Sequence, residues 1–319
     1  MNAAVTMRTK AAPETIAKTR RLGQPRLLII GCGDVGGRIL ARVVGRFRVF
    51  ALTTSTARAA QLRARGAVPI VADLDRPHAA HRLQALAPWI IDLAPTPASG
   101  QRDPRARRLA AALRGHPLRF VYASTTGVYG NAGGAQLDET ARPQPHSERA
   151  MRRLDAERVL RGALAARVLR VPGIYAHDRL PLERLRQELP ALIEADDVYT
   201  NHIHADDLAR IAIAALFRGR SKRVYNAVDD SQMKMGEYFD LVADVHTLPR
   251  PPRLPRAQLR AAVTPAMYSF MEESRRFANR RIKQELRVRL QWPTVAAALR
   301  AHGPDTRFPV RPAKQSGAT

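Results

Sequence analysis

The stretch RLLIIGCGDVGGRILA, residues 26–41, joins a strand-like apolar run to a glycine loop and then to a helix-like run. Gly31, Gly33 and Gly36 give the spacing G-x-G-x-x-G, with Cys32, Asp34 and Val35 between them. Strand, glycine turn and helix in that order make a cradle for a dinucleotide. Gly31 permits the tight turn, Gly33 lets the backbone approach a pyrophosphate, and Gly36 lets the helix pack on the strand. The helix start supplies free N–H groups and a partial positive charge.

Outward from this loop, β-rich runs alternate with helix-like stretches. Strands are expected at Leu27–Ile30, Val49–Thr53, Pro69–Ala72, Trp89–Leu93, Leu118–Ala123, Val168–Val171 and Val224–Ala227. Between the earlier ones lie Val35–Gly45, Thr56–Arg65, Pro77–Leu86 and Arg105–Arg114, with apolar residues three and four apart. That alternation predicts an α/β fold, a Rossmann-type doubly wound parallel sheet covered on both faces. After Val171 the rhythm breaks, and PRPPRLPR at 249–256 reads as rigid extended backbone. The expected layout is a disordered leader (1–24) and an NAD(P)-binding Rossmann domain (25–176 plus 205–228). A smaller, discontinuous C-terminal substrate domain (177–204 plus 229–305) and a tail (306–319) complete it.

The bulk numbers narrow the class. The chain has 319 residues, 45% of them hydrophobic, enough for a sizeable core. No apolar run approaches the roughly 20 residues of a membrane span, so no membrane partner is expected. The lone Cys32 rules out an intramolecular disulfide and fits a reducing, cytoplasmic location. A net charge of +25 raises the question of nucleic acid. Yet only six of the 53 basic residues are lysine, and the arginines spread over every expected helix instead of forming one patch. Nucleic acid is therefore not the expected partner, and a field that draws in phosphorylated cofactors and anionic substrates is.

The choice of dinucleotide rests on the end of the second strand. An NAD site usually carries an acid about 20 residues after the glycines. Here ALTTSTAR, residues 51–58, has none, whereas Thr54, Ser55 and Arg58 can bind a 2′-phosphate. NADP is the expected cofactor and NAD the other candidate. Asp73, followed by Leu74 in VADLD, either accepts a hydrogen bond from the adenine or caps a helix near Pro77. Ala94, in the run Asp92-Leu93-Ala94-Pro95, is small enough to let the nicotinamide half pass.

Several segments together resemble the extended short-chain dehydrogenase/reductase superfamily, in particular its epimerase/dehydratase-like members. They are GCGDVGGRIL (31–40), VADL (71–74), YASTTGVYG (122–130), LRVPGIYA (169–176), IHADDLA (203–209) and VYNAVDD (224–230). They occur in the family's order, and the glycine pattern is closer to the atypical branch. The resemblance implies hydride transfer at a carbonyl or carbinol carbon. A Ser or Thr at the end of the fifth strand would act there with a Tyr-x-x-x-Lys helix, whose lysine lowers the phenol's pKa.

Aligned on Val128-Tyr129-Gly130, Thr125 takes the hydroxyl position, with Ser124 just before it. The helix departs from the pattern: Arg149 stands where tyrosine belongs and Arg153 where lysine belongs. Arginine keeps its proton at ordinary pH, so Arg149 does not replace a titrating phenol. Arg153 remains a candidate to hold the nicotinamide ribose as a fixed donor. Tyr129, His146, Tyr175 and His177 are the alternative proton donors, and Tyr129, Tyr175 and His204 the candidates to line the substrate cleft. His202 and His204 stand beside Asp206 and Asp207, but the pattern opens a helix with Asp206 as its expected cap, and no metal is expected. The expected partner is a small-molecule substrate, anionic or nucleotide-sugar-like, with a homodimer left open. Two functions follow: an NAD(P)-dependent oxidoreductase or epimerase-like enzyme, or a catalytically silent NADP-binding regulator or scaffold.

Overall fold

A computed structural model of the protein describes residues 23–116 and 119–302, so the expected tail, nearly all of the expected leader, and Leu118 lie outside the described residues. Seven strands make one sheet: β1 (Arg26–Ile30), β2 (Arg48–Thr53), β3 (Val68–Val71), β4 (Trp89–Asp92), β5 (Arg119–Thr125), β6 (Arg167–Val171) and β7 (Val224–Asn226). Their order is β7-β6-β5-β4-β1-β2-β3. Every pairing within it is parallel. The chain thus winds one way from β1 to β3 and the other way from β4 to β7. The crevice between the ends of β1 and β4 is where such sheets take ligands.

Helices cover both faces, which is why the central strands are apolar on both sides. Leu27 and Ile29 of β1 enter one core, and Leu28 and Ile30 the other. The first face is covered by α1 (Asp34–Val43), α2 (Thr56–Ala64) and α5 (Ala205–Arg218), the second by α3 (Pro104–Leu113) and α4 (Glu148–Leu164). In α1 the buried Val35, Ile39, Leu40 and Val43 recur at helical spacing, each large aliphatic contributing roughly 1.5–3 kcal/mol on burial. Asp103 starts α3 by accepting the Ala106 N–H, with Pro104 at the first helical position, and Ser147 caps α4 through Ala150.

One expected helix is absent. Pro77–Leu86 forms only a 3₁₀ turn, Ala80–Leu83. His78 (φ +64) and Ala85 (φ +55) flank it, and left-handed residues cannot continue an α-helix. The apolar spacing was real nonetheless, because Ala80 and Leu83 are buried in the second core.

A further core gathers Tyr175, Leu185, Leu192, Val198, Tyr238, Phe239, Val242 and Leu259 with Met271 and Leu299. It includes α6 (Met235–Val245). The proline-rich run crosses it in extended form, with Arg253–Leu254 pairing alongside Ala191–Leu192. Not all of 229–305 stays there. Ile282, Leu286 and Val288 return to the core beneath α1 and α5, and Phe277 packs with Tyr129 and Val128. No helix among the described residues is long and apolar enough to cross a membrane.

Candidate active site

The glycine loop leaves β1 at the crevice. Gly31 has φ +77, and a Cβ there would stand 2.7 Å from the Ala94 backbone, so the β1 and β4 loops touch at a point only glycine allows. Gly36 is held close to Gly31 O (3.2 Å) and Ile29 Cγ2 (3.4 Å) by the same measure, which brings helix onto strand. At Gly33, in contrast, nothing lies within 4 Å. Gly33 is the N-cap of α1 and no side-chain cap closes the helix start. The N–H groups of Asp34, Val35 and Gly36 lie in the first turn, where no intrahelical partner exists. An open face beside uncapped N–H groups fits a dinucleotide pyrophosphate.

Asp34 puts a carboxylate in that first turn. Burial opposes its charge, but hydrogen bonds from Arg179 (2.8 Å) and Arg38 (2.9 Å) outweigh burial and hold the carboxyl below its ordinary range. Arg38 also reaches Asp178 (2.8 Å) and Asp206 (3.1 Å), and Arg42 reaches Asp206 (2.8 Å). This network ties α1 to the 178–179 loop and to the start of α5.

At the other end of the crevice, Cys32 N–H donates to Leu52 O at 3.3 Å, which sets the loop beside the end of β2. Thr54 and Arg58 are exposed there, and Ser55 caps α2 by accepting the Arg58 N–H (3.3 Å). Burial pushes the Cys32 thiol up, while the charges of Arg65 and Arg58 pull the other way, so both cations act on the loop. Asp73 does not cap a helix at Pro77, since none forms; its Oδ1 accepts the Asp75 N–H at 2.9 Å in a local turn. Leu74 is buried in the second core.

Thr125 ends β5, and its Oγ1 accepts the Gly127 N–H (3.1 Å), which leaves its O–H as a donor. Ser124 alternates to the other side of the strand. It donates to Glu157 at 2.6 Å, and Glu157 is paired with Arg170 through two bonds, at 2.8 and 3.1 Å, in the interior. Ser124 therefore serves that pair and does not face the crevice. Tyr129 is buried as well. Its hydroxyl donates to Asn226 (2.8 Å), Arg170 covers its ring at 4.5 Å and Phe277 packs beside it. A phenol so occupied is neither a proton donor to the crevice nor a cleft wall. His146 is exposed just before α4.

Arg153 donates from one Nη to Ala94 O (3.2 Å), Ala123 O (2.8 Å) and the Tyr122 hydroxyl (3.0 Å). It staples the ends of β4 and β5 to α4, alongside Ala94. Beneath it Asp92 accepts the Ala94 N–H (3.0 Å). Burial drives its pKa up to about 7, against the Ala94 hydrogen bond and the Arg153 charge. Nothing in the spacing marked Asp92; its burial depends on the neighbours β1 and β5.

Tyr175 and His204, expected to line the cleft, are buried at 2% and 1% exposure. Strands Gly173–Tyr175 and His202–His204 pair in parallel and carry both side chains inward, edge to face at 5.3 Å. His204, and not Asp206, caps α5: its Nδ1 accepts the Asp206 N–H at 3.2 Å. Asp207 instead receives the Gln291 and Trp292 N–H groups (2.9 and 2.8 Å), docking that segment on α5. Among the described residues, no group of three or more His, Cys, Asp or Glu is placed to hold a metal ion.

No protein-family model and no curated protein matches the chain in sequence. Solved structures do match. A functionally unknown conserved protein from Silicibacter pomeroyi is 27% identical, with a TM-score of 0.74 over 87% of this chain and 97% of its own. UDP-glucose 4-epimerase from Thermotoga maritima, solved with UDP-glucose, is 16% identical with a TM-score of 0.69. UDP-glucuronic acid 4-epimerase from Bacillus cereus, solved with NAD, is 16% identical with a TM-score of 0.68; each of the two aligns over 86% of this chain and 96% of its own. The strand order, the glycine loop and these likenesses agree: the chain has the fold of the NAD-dependent epimerase/dehydratase proteins of the extended short-chain dehydrogenase/reductase superfamily.

Proposed function

We propose that the protein is an NAD(P)-dependent oxidoreductase or epimerase-like enzyme of the atypical branch, working in the cytoplasm on a small anionic or nucleotide-sugar-like substrate. The observation that carries this reading is the open, uncapped start of α1 at Gly33, facing the acid-free end of β2. In it, Gly31, Cys32, Gly33, Asp34, Val35 and Gly36 form the pyrophosphate cradle. Thr54, Ser55 and Arg58 receive a 2′-phosphate, so NADP is preferred over NAD. Asp73 and Leu74 border the adenine, and Ala94 borders the nicotinamide half. When bound, the dinucleotide supplies or accepts a hydride. Thr125 donates its O–H to the reacting oxygen and the core around α6 covers the substrate.

A second reading is favoured by Arg153. It stands where a catalytic lysine belongs, and one of its Nη groups donates to Ala94, Ala123 and Tyr122. Under this reading the protein is a catalytically silent NADP-binding regulator or scaffold.

One titration series separates the possibilities. Purified protein is titrated with NADPH and NADH, then Arg58→Ala with both, followed by a turnover screen over carbonyls, alcohols and nucleotide sugars. The expected result is tighter NADPH binding that weakens about tenfold or more in the variant, with NADH unaffected. Turnover then selects the enzyme, and tight binding without turnover selects the regulator. Binding of neither dinucleotide overturns both.

A further inference from the structure

The first two turns of α4 carry three arginines, and only two of them are occupied. Arg152 donates to Ala98 O (3.0 Å) and to Gly100 O, and Arg153 to the three oxygens at the ends of β4 and β5. Among the described residues Arg149 has no hydrogen bond or ion pair. Its guanidinium lies over the Phe270 ring, 5.9 Å from the centroid. Phe270 is 60% exposed, far beyond any other large apolar side chain described. The two come from different elements, Arg149 from α4 and Phe270 from the end of the short helix Pro265–Ser269.

The residue next to Arg149 ties the start of α4 to the end of β5. A Cβ built on Gly127 would stand 3.4 Å from Thr125 Oγ1 and 3.8 Å from Ala150 Cβ, so the start of α4 packs on the turn that carries Thr125. Electrostatically the arrangement is costly as it stands. Arg149 is exposed, and partial desolvation first, then the charges of Arg153 and Arg152, lower its pKa. A cation in the first turn is also opposed by the helix dipole. An anion at this point offsets the repulsion from Arg152 and Arg153 and the opposing dipole, and a guanidinium on an aromatic face presents its donor edge outward, ready for a carboxylate or phosphate.

We propose that Arg149 and Phe270 form the anion subsite of the cleft, binding the carboxylate or phosphate group of a substrate whose planar or apolar part lies on Phe270 and whose oxygen reaches Thr125. This deepens the proposed function and rests on the same cleft. The position that the superfamily pattern gives to a titrating tyrosine is here a binding residue, and the substrate class is a small anionic carbonyl or carbinol compound.

The test uses the full chain, alone and saturated with NADPH, titrated with benzoate, phenyl phosphate and inorganic phosphate by NMR. Arg149→Gln is expected to weaken benzoate and phenyl phosphate at least tenfold, with unchanged thermal midpoint and unchanged NADPH affinity. Phe270→Ala weakens both aromatic probes but not inorganic phosphate. Arg149→Lys, which keeps the charge and loses the fork, costs benzoate more than phenyl phosphate. Arg158, exposed further along α4, is the control, and Arg158→Gln leaves all probes unchanged. The tighter of the two aromatic probes names the headgroup. Equal losses in Arg149→Gln and Arg158→Gln, or no loss in Arg149→Gln, overturn the subsite in favour of a diffuse positive field. Arg149-dependent probe binding by a chain that binds no dinucleotide leaves the subsite standing and overturns the function on which it was placed.

Discussion

Asp229 shows how much of the chemistry here is set by burial rather than by residue type. Its Oδ1 accepts the Ser231 N–H at 2.9 Å. Burial nonetheless pushes its pKa up to about 7 from an ordinary 3.8, against the hydrogen bonding of Ser231. Between about pH 4 and pH 7 the unfolded chain has released this proton and the folded chain still holds it, so the stability contributed here falls as pH rises through that window. Asp229→Asn is therefore expected to raise the unfolding midpoint at pH 8. The gain reaches at most roughly 4 kcal/mol and shrinks to nothing near pH 4. Thermal melts across that range check it; a gain that does not change with pH refutes it. His202 works in the opposite sense, since burial lowers its pKa to about 3 and stability is lost as pH falls from 6.5 toward that value. Neither shift was legible in VYNAVDD or in the His202 that precedes IHADDLA, because each depends on segments far away in sequence. Gly31, Gly33 and Gly36 were legible, because the demand on them is local: a turn, an open face, a close packing contact.

At the scale of elements, the strands and most helices follow from period and punctuation, and the exceptions have physical reasons. Pro77–Leu86 has helical spacing but places His78 and Ala85 in left-handed backbone. Asp206 looked like a cap, yet His204 reaches the N–H first. The core of α4 held a signal that went unread. Its buried positions Ala150, Leu154, Glu157, Leu160 and Leu164 put a carboxylate on the apolar stripe. A charge there needs a partner, which β6 supplies as Arg170, with Ser124 of β5 completing the set. Removing one member of such a pair leaves the other charge buried alone. Glu157→Gln is expected to cost roughly 3–5 kcal/mol, read as a lower midpoint in urea denaturation. A loss below about 1 kcal/mol would place the pair in the class of surface ion pairs.

Across the whole molecule, the doubly wound sheet was readable from RLLIIGCGDVGGRILA and the strand rhythm behind it. The return of Ile282, Leu286 and Val288 to the sheet was not, since that segment carries no strand and little periodicity. Charge behaves similarly. The net +25 is a bulk number, but the ion pairs Arg38–Asp178, Arg38–Asp206 and Arg179–Asp34 give it a local use, tying α1 to the 178–179 loop and to the start of α5. The Asp34 and Asp178 side chains are about a third to a half exposed, so salt reaches them. Arg38→Ala is expected to raise the rate of limited proteolysis at residues 177–181 several-fold, and about 1 M salt, where the Debye length is about 3 Å, to do the same to the wild type. An unchanged rate in both would mean that packing alone holds the loop. The partners of Arg38 lie 140 and 168 residues away along the chain. Contacts of that separation close long loops and are expected to form after the local βαβ units have assembled. The network is therefore expected to lie on the downhill side of the folding barrier, so that Arg38→Ala speeds unfolding in a denaturant-jump experiment and leaves the folding rate unchanged.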